Sequence, residues 1–288
     1  MGMFKNRTAV EQVAGTAPVP TTRAAAPRAS EELLEARLRE AVAGGTFHLH
    51  YQPLVAVDTG NVVGVEALLR WESETGRVAP ATFIPVLEAT GLVNDVGPWV
   101  LARACRDAQP WFADQADLFV AVNVSPQQLE PGFADWVLGT LGATGLTPER
   151  LALELIAPAF IVDPTAAWVE LRRLKAAGVR LFVDDFGALG SSIADLRRFA
   201  VDAVKIDTSF VAGVGRDRED DAVVAGIITL AHALGMRTIA EGVETPAQLD
   251  RLQALGCDLA QGFYIKEPVE AAAVGRLLHE TAAAPTIT

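Results

Sequence analysis

"RLFVDDFGALGSS" (Arg180–Ser192) is an apolar run that stops at two adjacent carboxylates, Asp184 and Asp185, and passes into a loop of small residues. The same kind of boundary recurs along the chain. Strand-like runs separated by helix-like stretches end at Asn123, Glu154, Asp184, Lys205, Glu241 and Gln261. Such alternation is typical of parallel strands joined by crossover helices. The sequence therefore predicts an α/β fold built from repeated strand–helix units.

The number of these units indicates how the sheet is arranged. Seven or eight units that close on themselves favour a TIM-type (β/α)8 barrel, and an open doubly wound sheet is the alternative. No GxGxxG motif follows the first strand, which is evidence against a dinucleotide-binding open sheet. At the start of the chain, "FHLHYQPLVAV" and "VVGVEALLRW" are predicted to form a strand pair across the turn residues "DTGN".

The two ends of the chain differ in composition from its middle. Residues 1–29 are rich in Ala, Pro, Thr and Arg and are predicted to be a disordered leader. Residues 281–288 are predicted to be a frayed tail. Between them, residues 30–280 form the predicted folded domain, with Ser30 as the N-cap of its first helix.

Composition restricts the classes of partner and the location. Lys and Arg total 24 against 36 acidic residues, and the net charge of −12 argues against a DNA or RNA polymer as partner. A small phosphorylated ligand is compatible with this charge if bound cations reverse the local field. No apolar segment is long enough to span a membrane, and the N-terminus has no continuous apolar run of a secretory signal. We therefore expect a cytoplasmic protein without a membrane partner, whose two cysteines are buried, reduced thiols.

The polar residues at the strand ends predict a functional site. In a barrel these side chains point into one mouth at the carboxyl ends of the strands, where barrel enzymes keep their chemistry. The oxygen donors among them suit Mg²⁺ or Mn²⁺ rather than zinc; they are Glu66, Asn123, Glu154, Asp184, Asp185, Glu241 and Gln261. So many carboxylates around the single Lys205 need further positive charge, which two divalent ions would supply. In this interpretation Asp184 lies between the ions and Asp185 binds one of them.

An ordered set of motifs carries a resemblance to a known family. They are "YQPLVAVDTGNVVGVEALLRW", "FIPVLEATGLV", "VNVSPQQL", "LALEL", "VDDFG", "VDAVKIDTSFV", "IAEGVET" and "GCDLAQGFYI". Together they resemble the EAL-domain family of bacterial enzymes, which hydrolyse the second messenger cyclic di-GMP to linear pGpG. The namesake triplet is Glu66-Ala67-Leu68, and the match runs from about residue 32 to 280. The resemblance implies a modified TIM barrel whose first strand is antiparallel.

The resemblance also implies a role for each matching residue. Glu66, Asn123, Glu154 and Asp184 match the ligands of one metal; Asp184, Asp185 and Glu241 match those of the second, with Gln261 nearby through water. Lys205 matches the residue that orients the attacking water, so Lys205, Glu241 and Glu66 are the implied catalytic residues. The positions implied to contact the substrate are Gln52, Leu68 and Arg70, and the implied supporting residues are Glu244 and Asp207.

Two segments depart from the family pattern. Where the family usually has "DDFGTGYSS", this chain has Ala188, Leu189 and Gly190, and where it usually has "LEITES", this chain has Ile156 and Ala157. The resemblance implies that these changes fall on the two sides of one contact, which in the family holds the loop after the second aspartate. Lys266 and Glu267 also stand where Ser and Arg are common. The predicted activity is therefore a slow phosphodiesterase. The alternative is an inactive domain that acts as a cyclic di-GMP receptor or protein-interaction module.

Other features receive a plainer interpretation. A barrel enzyme with Lys205 as a Schiff-base nucleophile is a further alternative, but a lysine ringed by carboxylates is expected to keep its proton. His48 and His50 alternate on an early strand and are expected to face solvent or pack, not to bind metal. The sequence leaves open a homodimer and a regulatory protein partner.

Overall fold

The structure is a computed structural model of the chain, and it describes residues 25–74, 76–113, 115, 117–156, 164–187 and 201–283. Helices in this part are α1 Ala25–Gly44, α2 Pro80–Ala89, α3 Val93–Ala108, α4 Phe133–Thr144, α5 Pro164–Ala177, α6 Thr208–Val211, α7 Arg218–Ala233, α8 Pro246–Leu255 and α9 Ala271–Ala283. Strands are β1 Phe47–Ala56, β2 Val62–Ser73, β3 Gly76–Val78, β4 Phe119–Val124, β5 Leu151–Ile156, β6 Arg180–Phe186, β7 Ala203–Ile206, β8 Arg237–Ala240, β9 Leu259–Ala260 and β10 Val269–Glu270.

Eight of these strands close into a barrel. The order around it is β1, β2, β4, β5, β6, β7, β8 and β9, and β9 pairs back with β1. Pairing is parallel from β2 to β9, whereas β1 is antiparallel to both of its barrel neighbours. The predicted (β/α)8-type barrel with an antiparallel first strand is thus confirmed, and the open-sheet alternative is wrong.

Apolar side chains fill the barrel in two layers. Inside it, small residues and a few large ones interlock; they are Leu54, Phe119, Ala121, Ala152, Phe182, Ala203, Ile239 and Leu259. The rings of Phe119 and Phe182 meet edge to face with centroids 5.5 Å apart. Outside it, the opposite strand faces pack against the helices, as alternation along a strand requires. This core leaves the mouth at the carboxyl ends of the strands for polar residues.

Several local predictions can be compared with the structure. Thr245 caps α8 by accepting a hydrogen bond from the Gln248 N–H, and Pro246 is the first helical residue. The first helix begins at Ala25, so the prediction that Ser30 is its N-cap is wrong; the alanines before it are strong helix formers that extend the helix. Residues 1–24 and 284–288 lie outside the described part, and the domain boundaries stay predictions.

Two further expectations concern cysteine chemistry and membranes. Cys105 and Cys257 are buried free thiols, which confirms the prediction, and burial raises the pKa of Cys105 to about 12 and that of Cys257 to about 11. Within the described ranges, each helix is too short or too polar to cross a bilayer. The cytoplasmic location stays a prediction.

Candidate active site

Lys205 lies at the centre of the barrel mouth, surrounded by four carboxylates. Its side chain is 1 % exposed, and its Nζ lies 2.7 Å from Glu154 and 2.8 Å from Glu241. Glu66 and Asp184 stand 3.4 and 3.5 Å from the same atom. These residues come from β2, β5, β6 and β7 and from the residue after β8. The parallel register brings them to one level, as the strand-end pattern predicts.

The charges of this cluster do not balance by themselves. Burial alone would lower the pKa of Lys205, but the four carboxylates outweigh it and hold this pKa well above its usual range. Burial raises the pKa of Glu154 well above its ordinary value, and it raises that of Glu241 to about 8. Burial acts in the same direction on Glu66, yet Lys205 and two amide donors keep the pKa of Glu66 below its ordinary value. One lysine is therefore too little positive charge for the cluster to ionise fully.

Amide side chains hold the Glu66 carboxylate from both sides. Asn123 Nδ2 donates to Oε1 at 2.7 Å, and Gln261 Nε2 donates to Oε2 at 2.7 Å. Gln261 Nε2 also donates to Gln52 Oε1 at 2.9 Å, and the Gln52 amide donates to the carbonyl of Lys266 at 3.0 Å. Asn123, Gln261 and Gln52 thus join Glu66 in one network across β1, β2, β4 and the end of β9.

A second acidic group lies beside the first. Oxygen atoms of Asp184, Asp185 and Glu241 all lie within 4.8 Å of one another. Asp185 has a φ of 53°, the one positive value at a non-glycine among the described residues, and its N–H donates to Asp184 Oδ1 at 2.9 Å. Burial raises the pKa of Asp185, and both Asp184 and Asp207 raise it further. The backbone is strained where it places two carboxylates side by side.

Buried oxygen acceptors test whether a cation fits this centre. Glu154 Oε1 and Gln261 Oε1 are both buried and have no hydrogen-bond partner in the described part of the chain. An unpartnered buried oxygen is costly, so such atoms call for a donor or a cation. The donor set is entirely oxygen, which suits Mg²⁺ or Mn²⁺. The residues present therefore fit divalent ions, and the three-carboxylate group is a candidate acidic metal site.

Two cavities flank Glu66. One of about 320 Å³ extends from Leu68 and Arg70 to an apolar wall that includes Ile84 and Val96. The other, of about 340 Å³, has Gln52, Leu68, Thr208, Glu241, Glu244 and Phe263 in its wall. Leu68 therefore stands between the two cavities. Both of them open beside the acidic centre.

The structure also shows what the sequence prediction did not identify. Phe263 is 62 % exposed in the wall of the second cavity, and Tyr264 beside it is 46 % exposed. The aromatic pair that follows Gly262 in "QGFYI" was the available signal. Asp207, predicted as supporting, caps α6 by accepting from the Ser209 N–H at 2.9 Å. Ala157 and Ala188, Leu189 and Gly190, where the chain departs from the family pattern, lie outside the described residues.

Comparison with known proteins agrees with this geometry. The family model for the EAL domain matches residues 35–268. The chain is 40 % identical over 237 residues to the bifunctional diguanylate cyclase/cyclic di-GMP phosphodiesterase MucR of Pseudomonas aeruginosa, covering 81 % of this chain and 35 % of that protein. It is 38 % identical over 255 residues to the cyclic di-GMP phosphodiesterase NbdA of the same species, covering 87 % and 33 %. The chain thus spans about a third of the length of these two relatives.

A solved structure of one of these relatives is also similar to this chain. The MucR phosphodiesterase of P. aeruginosa in complex with cyclic di-GMP superposes with a TM-score of 0.79 at 39 % identity, covering 84 % of this chain and 99 % of that one. Relatives with this fold include cyclic di-GMP phosphodiesterases. From the matched residues, the barrel and the acidic mouth together, we conclude that this chain belongs to the EAL-domain family.

Proposed function

We propose that this chain hydrolyses cyclic di-GMP to linear pGpG, using two Mg²⁺ or Mn²⁺ ions held at the acidic centre. The observation that carries the proposal is the pair of unpartnered buried oxygens, Glu154 Oε1 and Gln261 Oε1, within a ring of carboxylates. A purely structural cluster would be expected to satisfy these atoms internally. Family membership supports cyclic di-GMP as the substrate.

The donors divide into two groups that share Asp184. Glu66, Asn123, Glu154 and Asp184 would hold one ion, and Asp184, Asp185 and Glu241 the other, with Gln261 close by. When bound, two divalent ions at such a centre stabilise the charge on a phosphodiester and help to deprotonate water. The network around Glu66 fixes the first group, because Asn123 and Gln261 each hold one of its oxygens at 2.7 Å.

Lys205 has the role of a positively charged anchor for the attacking water. Its pKa is held well above its usual range, so it donates hydrogen bonds and is neither a general base nor a Schiff-base nucleophile. The water oxygen forms a new bond to phosphorus, the bond from phosphorus to the 3′ oxygen breaks, and that oxygen leaves with a proton. The product is a linear dinucleotide with a 5′ phosphate.

The two cavities beside Glu66 support a dinucleotide substrate. A cyclic dinucleotide carries two bases on opposite sides of its ring, and the cavities of about 320 and 340 Å³ lie on two sides of Leu68. The exposed ring of Phe263 offers a stacking surface in the second of them. Arg70, in the wall of the first, offers a forked donor to phosphate.

The test is product analysis with cyclic di-GMP and Mg²⁺ or Mn²⁺. We expect pGpG from the wild-type chain, none in the presence of a chelator, and a rate at least about a hundredfold lower for Glu66→Gln. The matched control is Glu72→Gln, which removes an exposed carboxylate of the same strand that pairs with Arg77. Tight binding of cyclic di-GMP without any pGpG would contradict the hydrolase and favour the receptor alternative.

A further inference from the structure

Two histidines and an arginine lie above the barrel mouth on the face that carries the active site. Successive residues of a strand point to opposite faces. Gln52 of β1 forms a hydrogen bond with Gln261, so the Gln52 side chain is on the face of β1 that is turned to the mouth. His50 and His48, two and four residues before Gln52, are on the same face. On β2, Leu68 and Arg70 share the face of Glu66 in the same way. We call His48, His50 and Arg70 the rim cluster.

The strand register brings these three residues together. His50 lies opposite Leu68 and His48 opposite Arg70, so the three side chains are cross-strand or diagonal neighbours. The two imidazole rings have centroids 5.3 Å apart. The backbone of Pro268 is a hydrogen-bond partner of the His50 side chain.

The field at this cluster is positive. Burial lowers the pKa of His50, and Arg70, His48 and Arg77 lower it further because all three are cationic or become so. Arg70 Nη1 donates to the Leu69 carbonyl at 3.0 Å, and within the described ranges no carboxylate lies at salt-bridge distance from this guanidinium.

Three carboxylates lie near the cluster, and each of them is paired elsewhere or exposed to solvent. Glu72 is held by Arg77 at 2.9 Å on the outer part of the ribbon. Glu270 of β10 lies opposite His50 and is exposed, and Glu66 lies beyond Leu68 in the network with Asn123 and Gln261. A positive, half-buried cluster of this kind favours an anion.

The substrate of the proposed function has an anion to place there. A cyclic dinucleotide carries two phosphodiester groups, and only one of them can be at the centre of cleavage. The other would be repelled by the carboxylates of the mouth and needs a positive partner elsewhere. His50 is two residues from Gln52, which is about 7 Å along the strand.

We propose that His50, together with His48 and Arg70, forms the subsite for the phosphodiester group that is not cleaved. This inference rests on the proposed function and adds the histidines as residues that position the substrate. The ordinary pKa of imidazole is near 6.5 and that of His50 is lowered in the free protein, but a bound anion favours the charged form of the ring and raises this pKa. Affinity through this subsite therefore increases as the pH falls from 8 to 6, while Arg70 stays charged throughout.

The test compares three variants with the wild-type chain at pH 6 and pH 8. His50→Gln removes the charge, His50→Arg keeps it at both pH values, and His232→Gln removes an exposed imidazole that bonds to Asp258, away from the site. Kinetics with cyclic di-GMP separate KM from kcat, and binding is measured alongside in chelator. Bis(p-nitrophenyl) phosphate, which has only one phosphodiester group, reports on the cleavage centre alone.

We expect His50→Gln to raise KM for cyclic di-GMP about tenfold at pH 6 and about twofold at pH 8, with kcat within about twofold. His50→Arg should keep KM low at both pH values, and His232→Gln should match the wild type. Cleavage of bis(p-nitrophenyl) phosphate should be the same in all four proteins. An unchanged KM and Kd for His50→Gln at pH 6 would overturn the subsite and leave the proposed function standing. Absence of both binding and turnover in the wild type would overturn both.

Discussion

Lys205 is the single residue on which the charge balance of the acidic centre depends. It is almost fully buried and lies within 3.5 Å of four carboxylates. Removing one partner of a buried ion pair is more costly than never having made the pair, because the remaining charge stays uncompensated. The lysine and a bound cation would both neutralise the negative charge of these carboxylates. The free energy of unfolding can therefore be used to follow metal binding.

We predict that Lys205→Met lowers the free energy of unfolding of the metal-free protein by about 3–5 kcal/mol. Saturating Mn²⁺ should restore much of this loss, because bound ions neutralise the same carboxylates. Urea denaturation in chelator and in Mn²⁺ measures both values. Lys175→Met is the control: it breaks a half-exposed pair with Asp202 and should cost no more than about 1 kcal/mol. A Lys205→Met loss as small as that of the control would contradict this picture.

At the scale of elements, the barrel interior depends on close contact between neighbouring strands. Gly64 of β2 lies opposite Phe119 of β4, and a Cβ added at Gly64 would stand 2.4 Å from the Phe119 ring. The ring in turn meets Phe182 edge to face, so it cannot move freely. A glycine is therefore required at this position for packing rather than for backbone conformation.

Gly64→Ala should destabilise the protein by about 1–3 kcal/mol through overpacking of the barrel interior. Gly226→Ala is the matched substitution on the exposed face of helix α7, where an added Cβ meets nothing within 4 Å. It should stabilise the protein by about 0.5–1 kcal/mol, because alanine is the better helix former. Thermal and urea denaturation of both variants measure the difference. A Gly64→Ala variant that is as stable as the wild type would show that the interior is not packed as described.

Asp258 joins three elements at the seam where the barrel closes. Its carboxylate accepts hydrogen bonds from the backbone N–H and the hydroxyl of Thr238 on β8, at 2.8 and 2.9 Å, and contacts His232 of α7 at 2.8 Å. Its own carbonyl accepts from the Val57 N–H after β1 at 3.0 Å. Burial would raise the pKa of Asp258, but these donors outweigh it and lower the pKa below 3.8.

A carboxyl group whose pKa is lower in the folded than in the unfolded protein stabilises the folded state fully at a pH above its unfolded-state pKa. This contribution is lost as the pH falls through the folded-state pKa. Asp258→Asn should therefore lower the free energy of unfolding by about 1–2 kcal/mol at pH 7, and by progressively less below pH 3.8. Urea denaturation across pH measures this gap. Asp250→Asn, on an exposed position of α8, should stay within about 0.5 kcal/mol of the wild type. A gap that does not change with pH would show that the carboxylate charge is not what stabilises the seam.

At the scale of the whole molecule, the barrel and most of its mouth could be predicted from the sequence. The parallel strands have their carboxyl ends at the mouth, and each apolar run is followed there by a polar residue. Asn123, Glu154 and Lys205 are examples. Strand pairing itself is not visible in a local pattern. The face shared by His48 and Gln52 became clear only from the register, which is why those histidines were expected to face solvent or pack.

Other features escaped prediction because they arise from tertiary contact. The φ of 53° at Asp185 is a left-handed conformation that aspartate tolerates better than most residues, and no local pattern in the sequence marks where it occurs. Phe263 is exposed in the wall of a cavity beside the mouth, whereas an aromatic residue in a sequence is more often part of a core. The short strands β3 and β10 gave no periodic signal, since two or three residues are too few to show one.

The central claim is that two divalent ions at the acidic centre perform the hydrolysis. The most direct test measures bound Mn²⁺ per chain and the rate of pGpG formation in the same titration. We predict two bound ions per chain at saturation in the presence of cyclic di-GMP, and a rate that rises in step with the second ion. Turnover in the presence of chelator, or a full rate with only one ion bound per chain, would contradict the claim.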